Sequence, residues 1–265
     1  MSDSLLIERD GGIATITFNR PDKANYIDND WLDRMAGSFR AWRRDKTIRA
    51  VIIKSTGRYF MAGGDMNFHD AVLNMPPDER FEANYDIVQR WNEMMEELLS
   101  LPQPVIASVQ GGTIGASVGL VAACDMVVAG RSAFFSIAHV RHGGCVDGYI
   151  SHFLPRQIGA RRSLQMALTG ERVGAEEAER IGLIGQMVED DQLNAVVDKL
   201  AHEMACGPTF AYGLIKDQFL DSFERSRQDQ VHLEALYTAR GSNTQDWREG
   251  SISIVEKRAP NFTGQ

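Results

Sequence analysis

The chain has 265 residues, of which 43% are hydrophobic and 24% are charged, so it can bury a sizeable core and lies near the upper size of a single domain. Its formal net charge of -8 disfavours a nucleic acid or an anionic membrane as partner, because such surfaces are bound by clustered lysine and arginine. A small molecule is the expected partner.

The cysteines Cys124, Cys145 and Cys206 are odd in number and lack metal-ligand spacing, so the sequence predicts neither a disulfide framework nor a metal site. The first residues, MSDSLLIERDGG, lack the basic segment and apolar core of a secretion signal. The last residues, NFTGQ, match no peroxisomal or retention address. We therefore expect a cytoplasmic protein.

The first half of the chain alternates between strand and helix patterns. LLIERDGGIATITFNRP predicts a hairpin, because β-branched runs flank a turn with two glycines. DNDWLDRMAGSFRAWRRD begins acidic and ends basic, with apolar residues at helical spacing, and predicts an amphipathic helix. RAVIIKS predicts a buried strand, and FEANYDIVQRWNEMMEELLSL a second long helix stopped by Pro102 and Pro104.

The second half repeats this unit and then becomes helical. VIASVQ predicts a strand, GASVGLVAAC a short helix of small residues, and MVVAG and AFFSI two more strands. After residue 160 helical patterns dominate, with one strand at LIGQMVE, and residues 208–259 predict consecutive amphipathic helices. The repeated strand-strand-helix unit predicts an α/β fold with a spiral of small sheets and helices outside.

Four stretches resemble the crotonase (enoyl-CoA hydratase/isomerase) superfamily: FNRPDKAN, RYFMAGGDM, PVIASVQGGTIGASVGLVAACD and LTGERVGAEEAERIGLIGQMVE. The closing region, with GPTFAYGLIK and DWREGSISIVEKRAPNFTG, most resembles the ring-1,2-epoxyphenylacetyl-CoA isomerase and enoyl-CoA isomerase branch. The resemblance implies a crotonase-type ββα spiral core over residues 1–200 and a helical C-terminal trimerisation region over residues 201–265. It also implies an acyl-CoA thioester substrate, no cofactor besides the coenzyme A of that substrate, and a homotrimer or a dimer of trimers.

The same resemblance places an oxyanion hole at two glycine loops. Removing a proton beside a thioester carbonyl leaves negative charge on the oxygen, which preorganised N–H donors stabilise. The family's first donor corresponds to Gly64, and the second to Ala116, near the predicted start of a helix where unpaired N–H groups favour an anion. The alternative is that these glycines only form tight turns.

The acid/base residues depart from the family's hydratases, which hold two glutamates around the reacting water. Those two positions correspond to Gly119 and His139. Asp147 stands where isomerases of the superfamily carry their working aspartate, and one carboxylate suffices to move a proton between two carbons. Gly119 follows Gly115 by four residues, a spacing that permits a close helix contact.

Each of these residues also has a structural interpretation. Asp147 could cap the helix that is predicted to start at Gly148. His139 could be an ordinary hydrogen-bonded core residue. Cys145 invites comparison with a nucleophile, but a small cysteine in a loop more often packs.

The resemblance also supplies a set of substrate-binding residues. Some match contacts to the nucleotide of coenzyme A, and others lie in or beside the glycine loops; singly, the lysines would be ordinary solvated side chains. The predicted set comprises Lys23, Ala24, Ala62, Asp65, Met66, Gly115, Gly119, Lys257 and Phe262.

The favoured function is therefore an acyl-CoA isomerase in which Asp147 transfers a proton while Gly64 and Ala116 stabilise a thioester enolate. The main alternative is an enoyl-CoA hydratase or a C–C bond hydrolase that uses His139 with Asp147, as His-Asp pairs of some superfamily members do. A non-enzymatic CoA-binding or RNA-binding protein is a third possibility, and the acidic composition argues against RNA.

Overall fold

A computed structural model describes residues 3–265 of the chain, apart from the side chains of Met66, Asn67 and His69. Within this part, the strands form two sheets. The larger sheet, in spatial order, consists of β1 (Leu5–Asp10), β2 (Ile13–Phe18), β3 (Ala50–Ser55), β5 (Val105–Val109), β7 (Met126–Gly130) and β10 (Gln186–Val188). The smaller consists of β4 (Tyr59–Met61), β6 (Gly112–Ile114), β8 (Phe134–Ser136) and β9 (Arg172–Gly174).

Helices follow the strands and then form the C-terminal part of the chain. The described helices are α1 (Asn29–Trp42), α2 (Met66–Leu73), α3 (Pro77–Leu99), α4 (Ser117–Ala123), α5 (Ile150–Ile158), α6 (Ala160–Thr169), α7 (Ala175–Ile181), α8 (Leu193–Ala205), α9 (Thr209–Leu220), α10 (Arg227–Gly241) and α11 (Gln245–Glu256). Short 3-10 helices occur at Pro21–Lys23, Ala138–His142 and Asp190–Gln192.

The ββα units explain why two sheets form. In each of the pairs β3–β4, β5–β6 and β7–β8, the first strand joins the larger sheet and the second joins the smaller. Equivalent strands of successive units pair in parallel within both sheets. Consequently the loops that follow β4, β6 and β8 come together at one edge, although they are far apart in sequence.

The predicted elements largely match these bounds. The opening hairpin is confirmed, with Gly11 and Gly12 at positive φ in its turn. Asp28 caps α1 by accepting a hydrogen bond from the Trp31 N–H, at 3.0 Å. The second long helix begins earlier than predicted, at Pro77, because proline is well suited to a first helical turn.

The larger sheet is covered on both faces. Val51 and Ile53 of β3 face the main core, whereas Ala50 and Ile52 face a second cluster beneath α8. A strand buried on both faces needs a continuous apolar run, as RAVIIKS provides. The predicted division between residues 200 and 201 falls within α8, which packs on this sheet.

The C-terminal helices dock on the core through α9. The ammonium of Lys216 lies 2.7 Å from the Asp125 carboxylate and donates to the Gln103 carbonyl oxygen at 2.8 Å. The predicted C-terminal run of helices is confirmed by α9, α10 and α11. Across the described residues, no helix is both long and apolar enough to span a bilayer.

Candidate active site

The first glycine loop follows β4 and is held against the segment after β2. The Ile27 N–H donates to the Gly63 carbonyl oxygen at 3.0 Å, and the Ala62 N–H donates to the Ala24 oxygen at 3.1 Å. Gly63 has a φ of 95°, which glycine tolerates and side chains disfavour. These contacts fix the backbone at Gly64, which is exposed.

The second glycine loop follows β6 and lies beside the first. The hydroxyl oxygen of Ser117 is 3.0 Å from the Met61 carbonyl oxygen, which links the start of α4 to the end of β4. A Cβ atom on Gly115 would lie 3.9 Å from the Gly63 Cα. The parallel pairing of β4 with β6 therefore brings the two predicted oxyanion loops together.

The backbone N–H groups of Gly64 and Ala116 are available to a ligand. Neither donates a hydrogen bond within the part of the chain that the structure describes. By contrast, the neighbouring Gly115 N–H is used by the Ser136 carbonyl oxygen, at 3.0 Å. Two unused donors in adjoining loops can together bind one oxygen atom that carries negative charge.

A histidine and an aspartate meet next to these donors. The His139 Nε2 lies 2.9 Å from the Asp147 Oδ1. His139 is only 7% exposed, whereas the Asp147 side chain is 34% exposed. In the tautomer with its proton on Nε2, neutral His139 donates to the carboxylate and fixes its orientation. Among the described residues, the buried His139 Nδ1 has no hydrogen-bond partner.

His139 and the residue that follows Asp147 both lie against the second glycine loop. A Cβ on Gly115 would lie 3.8 Å from the His139 Cε1, so the imidazole ring packs beside that residue. A Cβ on Gly148 would lie 2.8 Å from the Ala116 Cβ, so the residue after Asp147 packs directly on Ala116. The loop that carries the Asp147 carboxylate and the residue Ala116 are therefore neighbours.

The capping interpretation of Asp147 is wrong. Helix α5 begins at Ile150, two residues later than the predicted start at Gly148, and its N-cap residue is Tyr149, with no side-chain capping hydrogen bond. Positive φ angles at Gly148 and Tyr149 delay the helix start. Asp147 therefore contributes only its carbonyl oxygen to the turn, which accepts from the Ile150 N–H at 3.2 Å.

Gly119 lies where the resemblance places a hydratase glutamate, and the fold leaves no space for a side chain there. A Cβ at this position would lie 1.6 Å from the Gly148 carbonyl oxygen. A close contact at Gly119 was predicted and is present, but its partner is the backbone of the Asp147 loop, and Gly115 lies outside α4, so the predicted helix spacing is not its cause. Cys145, two residues before Asp147, is exposed.

The predicted coenzyme A residues fall into two groups in the chain. Lys23 and Ala24 adjoin Ala62 through the Ala62–Ala24 hydrogen bond, and Lys23 is exposed. Asp65 directly follows Gly64. The side chain of Met66 lies outside the described residues, although the backbone of Met66 begins α2.

Lys257 and Phe262 form a separate group. Phe262 packs on Gly250 and lines a cavity of about 430 Å³ between α9, α10 and α11. Asp246 holds the C-terminal segment there by accepting from the Thr263 and Gly264 N–H groups.

Asn25 and Tyr149 shape the site but were not predicted to do so. Asn25 is completely buried, and its amide donates to the carbonyl oxygens of Thr56 and Tyr59 at 2.8 Å each. It therefore fixes the loop that presents Ala24. The asparagine that ends the FNRPDKAN motif was the sequence signal available for Asn25, whereas nothing in the local pattern identified Tyr149.

Comparison with known proteins agrees with the fold described above. A sequence profile described as enoyl-CoA hydratase/isomerase matches residues 8–265. The 1,2-epoxyphenylacetyl-CoA isomerase of Escherichia coli K12 is 34% identical over 266 residues, covering 100% of both chains. A "probable enoyl-CoA hydratase" of Rhodobacter capsulatus is 32% identical over 254 residues, covering 96% of this chain and 95% of the relative.

A solved structure shows the same fold. The crystal structure of an enoyl-CoA hydratase from Mycobacterium smegmatis superimposes with a TM-score of 0.90 at 28% identity, covering 98% of this chain and 99% of the other. The fold and the glycine loops thus define a crotonase-type protein. The chain belongs to the enoyl-CoA hydratase/isomerase family. The resemblance and the α/β crotonase-type fold predicted from the sequence are confirmed.

Proposed function

We propose that this protein is an acyl-CoA isomerase in which Asp147 moves a proton between two carbons of the acyl group. The observation that carries the proposal is the position of the Asp147 carboxylate, which is hydrogen-bonded to His139 and lies on a loop packed against Ala116. The isomerase relative from Escherichia coli, matched over its full length, supports the same class of reaction.

The proposed reaction begins when the thioester oxygen accepts hydrogen bonds from the Gly64 and Ala116 N–H groups. These donors stabilise the charge that develops as the α-carbon loses its proton. Asp147 accepts that proton and becomes a neutral carboxylic acid. It then returns the proton to another carbon on the same face of the substrate, so that the carboxylate is regenerated and a double bond has moved.

The residues present favour isomerisation over hydration. Hydration needs one group that activates water and another that delivers the α-proton. Position 119 is a glycine in contact with backbone, and position 139 is a histidine already paired with Asp147. A single carboxylate supports reversible proton transfer without a second acid.

We propose that the coenzyme A moiety binds along the first glycine loop. The exposed ammonium of Lys23 supplies a positive charge for a phosphate, and the backbone at Ala24 and Ala62 supplies polar groups for the nucleotide. Asp65 and Gly115 flank the two oxyanion donors. No additional cofactor takes part in this scheme, because coenzyme A is part of the substrate.

A second candidate function uses His139 and Asp147 together to activate water, either for hydration or for C–C bond hydrolysis. The 2.9 Å hydrogen bond between a nearly buried imidazole and a carboxylate favours it, because a carboxylate that orients a histidine is a common base arrangement. The hydratase-named relative is consistent with this candidate.

We also propose that the protein assembles as a homotrimer or a dimer of trimers through its C-terminal helices. Large apolar side chains are exposed on this region, including Phe219 and Phe223 at 74% and 73% and Ile254 and Val255 at 79% and 82%. Such a concentration of exposed apolar residues is typical of an interface. Analytical ultracentrifugation of the full chain tests the oligomeric state.

The function is tested by incubating the protein with a panel of acyl-CoA thioesters in deuterated water and following the products by mass spectrometry. Isomerisation adds no water, and it introduces deuterium at carbon to the extent that the protonated Asp147 carboxyl exchanges with solvent before it returns the proton. Hydration adds the mass of one water, and C–C hydrolysis divides the acyl chain. Efficient hydration of crotonyl-CoA by the unmodified protein would refute the isomerase proposal in favour of the His139–Asp147 alternative.

A further inference from the structure

The loop that carries Asp147 brings its backbone against α4 at Gly119. The Gly148 carbonyl oxygen lies where a Cβ of residue 119 would be, at 1.6 Å from that ideal position. On its other side, a Cβ on Gly148 would come within 2.9 Å of the Ala116 Cα. Any side chain at position 119 must therefore displace the residue that follows Asp147, because backbone atoms cannot move aside as a flexible side chain can.

The other end of this loop is fixed by Tyr149. This residue has a φ of 65°, a conformation that a residue with a bulky side chain adopts only when its surroundings enforce it. Its hydroxyl donates to Glu96 on α3, and its ring stacks on Phe153 with centroids 6.1 Å apart. Burial and the neighbouring Glu96 raise the pKa of Tyr149, so the hydroxyl retains its proton and remains a donor at neutral pH.

We propose that Gly119 and Tyr149 are positioning residues that together set the location of the Asp147 carboxylate, Gly119 by admitting the Gly148 backbone and Tyr149 by tying the loop to Glu96. This inference rests on the proposed function, since it assigns the purpose of the two contacts to proton transfer by Asp147. If the inference holds, Asp147 can keep its present position only while residue 119 has no side chain.

One consequence concerns the choice of reaction within this fold. A carboxylate at position 119 and a working Asp147 cannot both be present unless the loop moves. The identity of residue 119 therefore selects between the two arrangements, although residue 119 itself transfers no proton. Gly119 is in this sense a specificity-determining residue of the site.

The direct test is Gly119→Ala, compared with Gly37→Ala. Gly37 lies within α1, where a Cβ would meet nothing within 4 Å, so this variant controls for a glycine-to-alanine change in a helix. Two readouts are combined: kcat and KM for proton exchange, and hydrogen–deuterium exchange of the backbone over residues 143–150. A melting curve establishes that each variant is folded.

We expect Gly119→Ala to raise backbone exchange across residues 143–150 and to lower kcat by on the order of 10²-fold, with KM nearly unchanged. Gly37→Ala should match the unmodified protein in both readouts. Unchanged exchange and unchanged kcat in Gly119→Ala would overturn the inference. A lower kcat with unchanged loop exchange would overturn it too, because Gly119 would then act by another route.

The design separates this inference from the proposed function. If exchange of the loop rises while kcat stays at the level of the unmodified protein, Gly119 places the loop but Asp147 is not the working base. That result overturns the role of Asp147 and with it the purpose assigned to Gly119. Loss of activity in an Asp147 variant, together with the expected Gly119→Ala result, supports both.

If Gly119→Ala does not fold, a milder set of variants tests whether the position of the Asp147 loop controls the rate. Tyr149→Phe removes the hydroxyl but keeps the ring, and Glu96→Ala removes its acceptor. Each should lower kcat by about 2- to 10-fold, the equivalent of one hydrogen bond. Glu96→Gln retains an acceptor oxygen and should behave like the unmodified protein. Equal kcat in Tyr149→Phe, Glu96→Ala and the unmodified protein would refute the role of Tyr149.

Discussion

Replacing Asp147 by asparagine isolates the proton-accepting step from the shape of the site. The amide has nearly the same volume, and its oxygen can accept the hydrogen bond that His139 Nε2 now donates at 2.9 Å. The Asp147 side chain is 34% exposed and caps no helix, so the change leaves no newly buried polar group without a partner. We therefore expect stability to change by only about 0.5 kcal/mol or less.

The effect on the rate should be much larger. An amide cannot accept the proton from the substrate carbon, and loss of a general base typically lowers a rate by about 10²–10⁴-fold. That range corresponds to roughly 2.7–5.4 kcal/mol of activation free energy. The oxyanion donors at Gly64 and Ala116 are backbone groups, so the affinity for the acyl-CoA ester should remain close to that of the unmodified protein.

The assay combines proton exchange at the substrate carbon, followed by NMR in deuterated water, with calorimetry of acyl-CoA binding and a thermal melt. Asp10→Asn is a suitable control, because Asp10 is an exposed residue at the opening hairpin. Exchange by Asp147→Asn within a few-fold of the unmodified protein would show that another group is the base. A joint loss of binding and activity would point to a structural role instead.

Three further variants or measurements test other parts of the scheme. Gly119→Glu should lower the free energy of unfolding by at least about 1–3 kcal/mol, because a Cβ at this position overlaps the Gly148 backbone. We therefore do not expect this variant to be a hydratase. A melting point equal to that of the unmodified protein would contradict the packing argument. His139→Gln can still donate to Asp147 and should keep more proton-exchange activity than His139→Leu; equal losses in both would assign acid/base chemistry to the imidazole itself. Calorimetry should show tighter binding of an acyl-CoA than of the corresponding free acid, since the proposed contacts lie on the nucleotide and thioester, and equal affinities would exclude the proposed site.

The elements that the sequence predicted best are those specified by local patterns. The opening hairpin follows from β-branched residues around Gly11 and Gly12, and α1 follows from apolar spacing with Asp28 at its start. The strands β4, β6 and β9 were missed because each has three residues close to glycines, a pattern typical of a turn, whereas the equally short β8 and β10 lie next to further apolar residues. Pairing within the second sheet defines them as strands.

The residues of the site were predicted from local patterns, but their spatial arrangement was not. Resemblance of short motifs was sufficient to select the glycine loops, Asp147 and His139, but it gave no distance between them. The hydrogen bond between His139 and Asp147 closes a path that leaves a 3-10 helix, turns at the left-handed residue Gly143 and continues as a loop, and no local propensity specifies that path. The capping interpretation failed because it assumed that the helix after Asp147 starts at once.

The sequence by itself determined the family, the order of the elements in the larger sheet and of the main helices, and the absence of a glutamate pair, because these depend on residue identity and on periodicity within short segments. Only the tertiary structure decided that Gly119 touches the Gly148 backbone, that the two glycine loops adjoin, and that Phe262 packs among the C-terminal helices. These outcomes depend on how sheets and helices pack. Close packing brings together backbone atoms that are distant in the chain, and no local sequence pattern indicates which of them will meet.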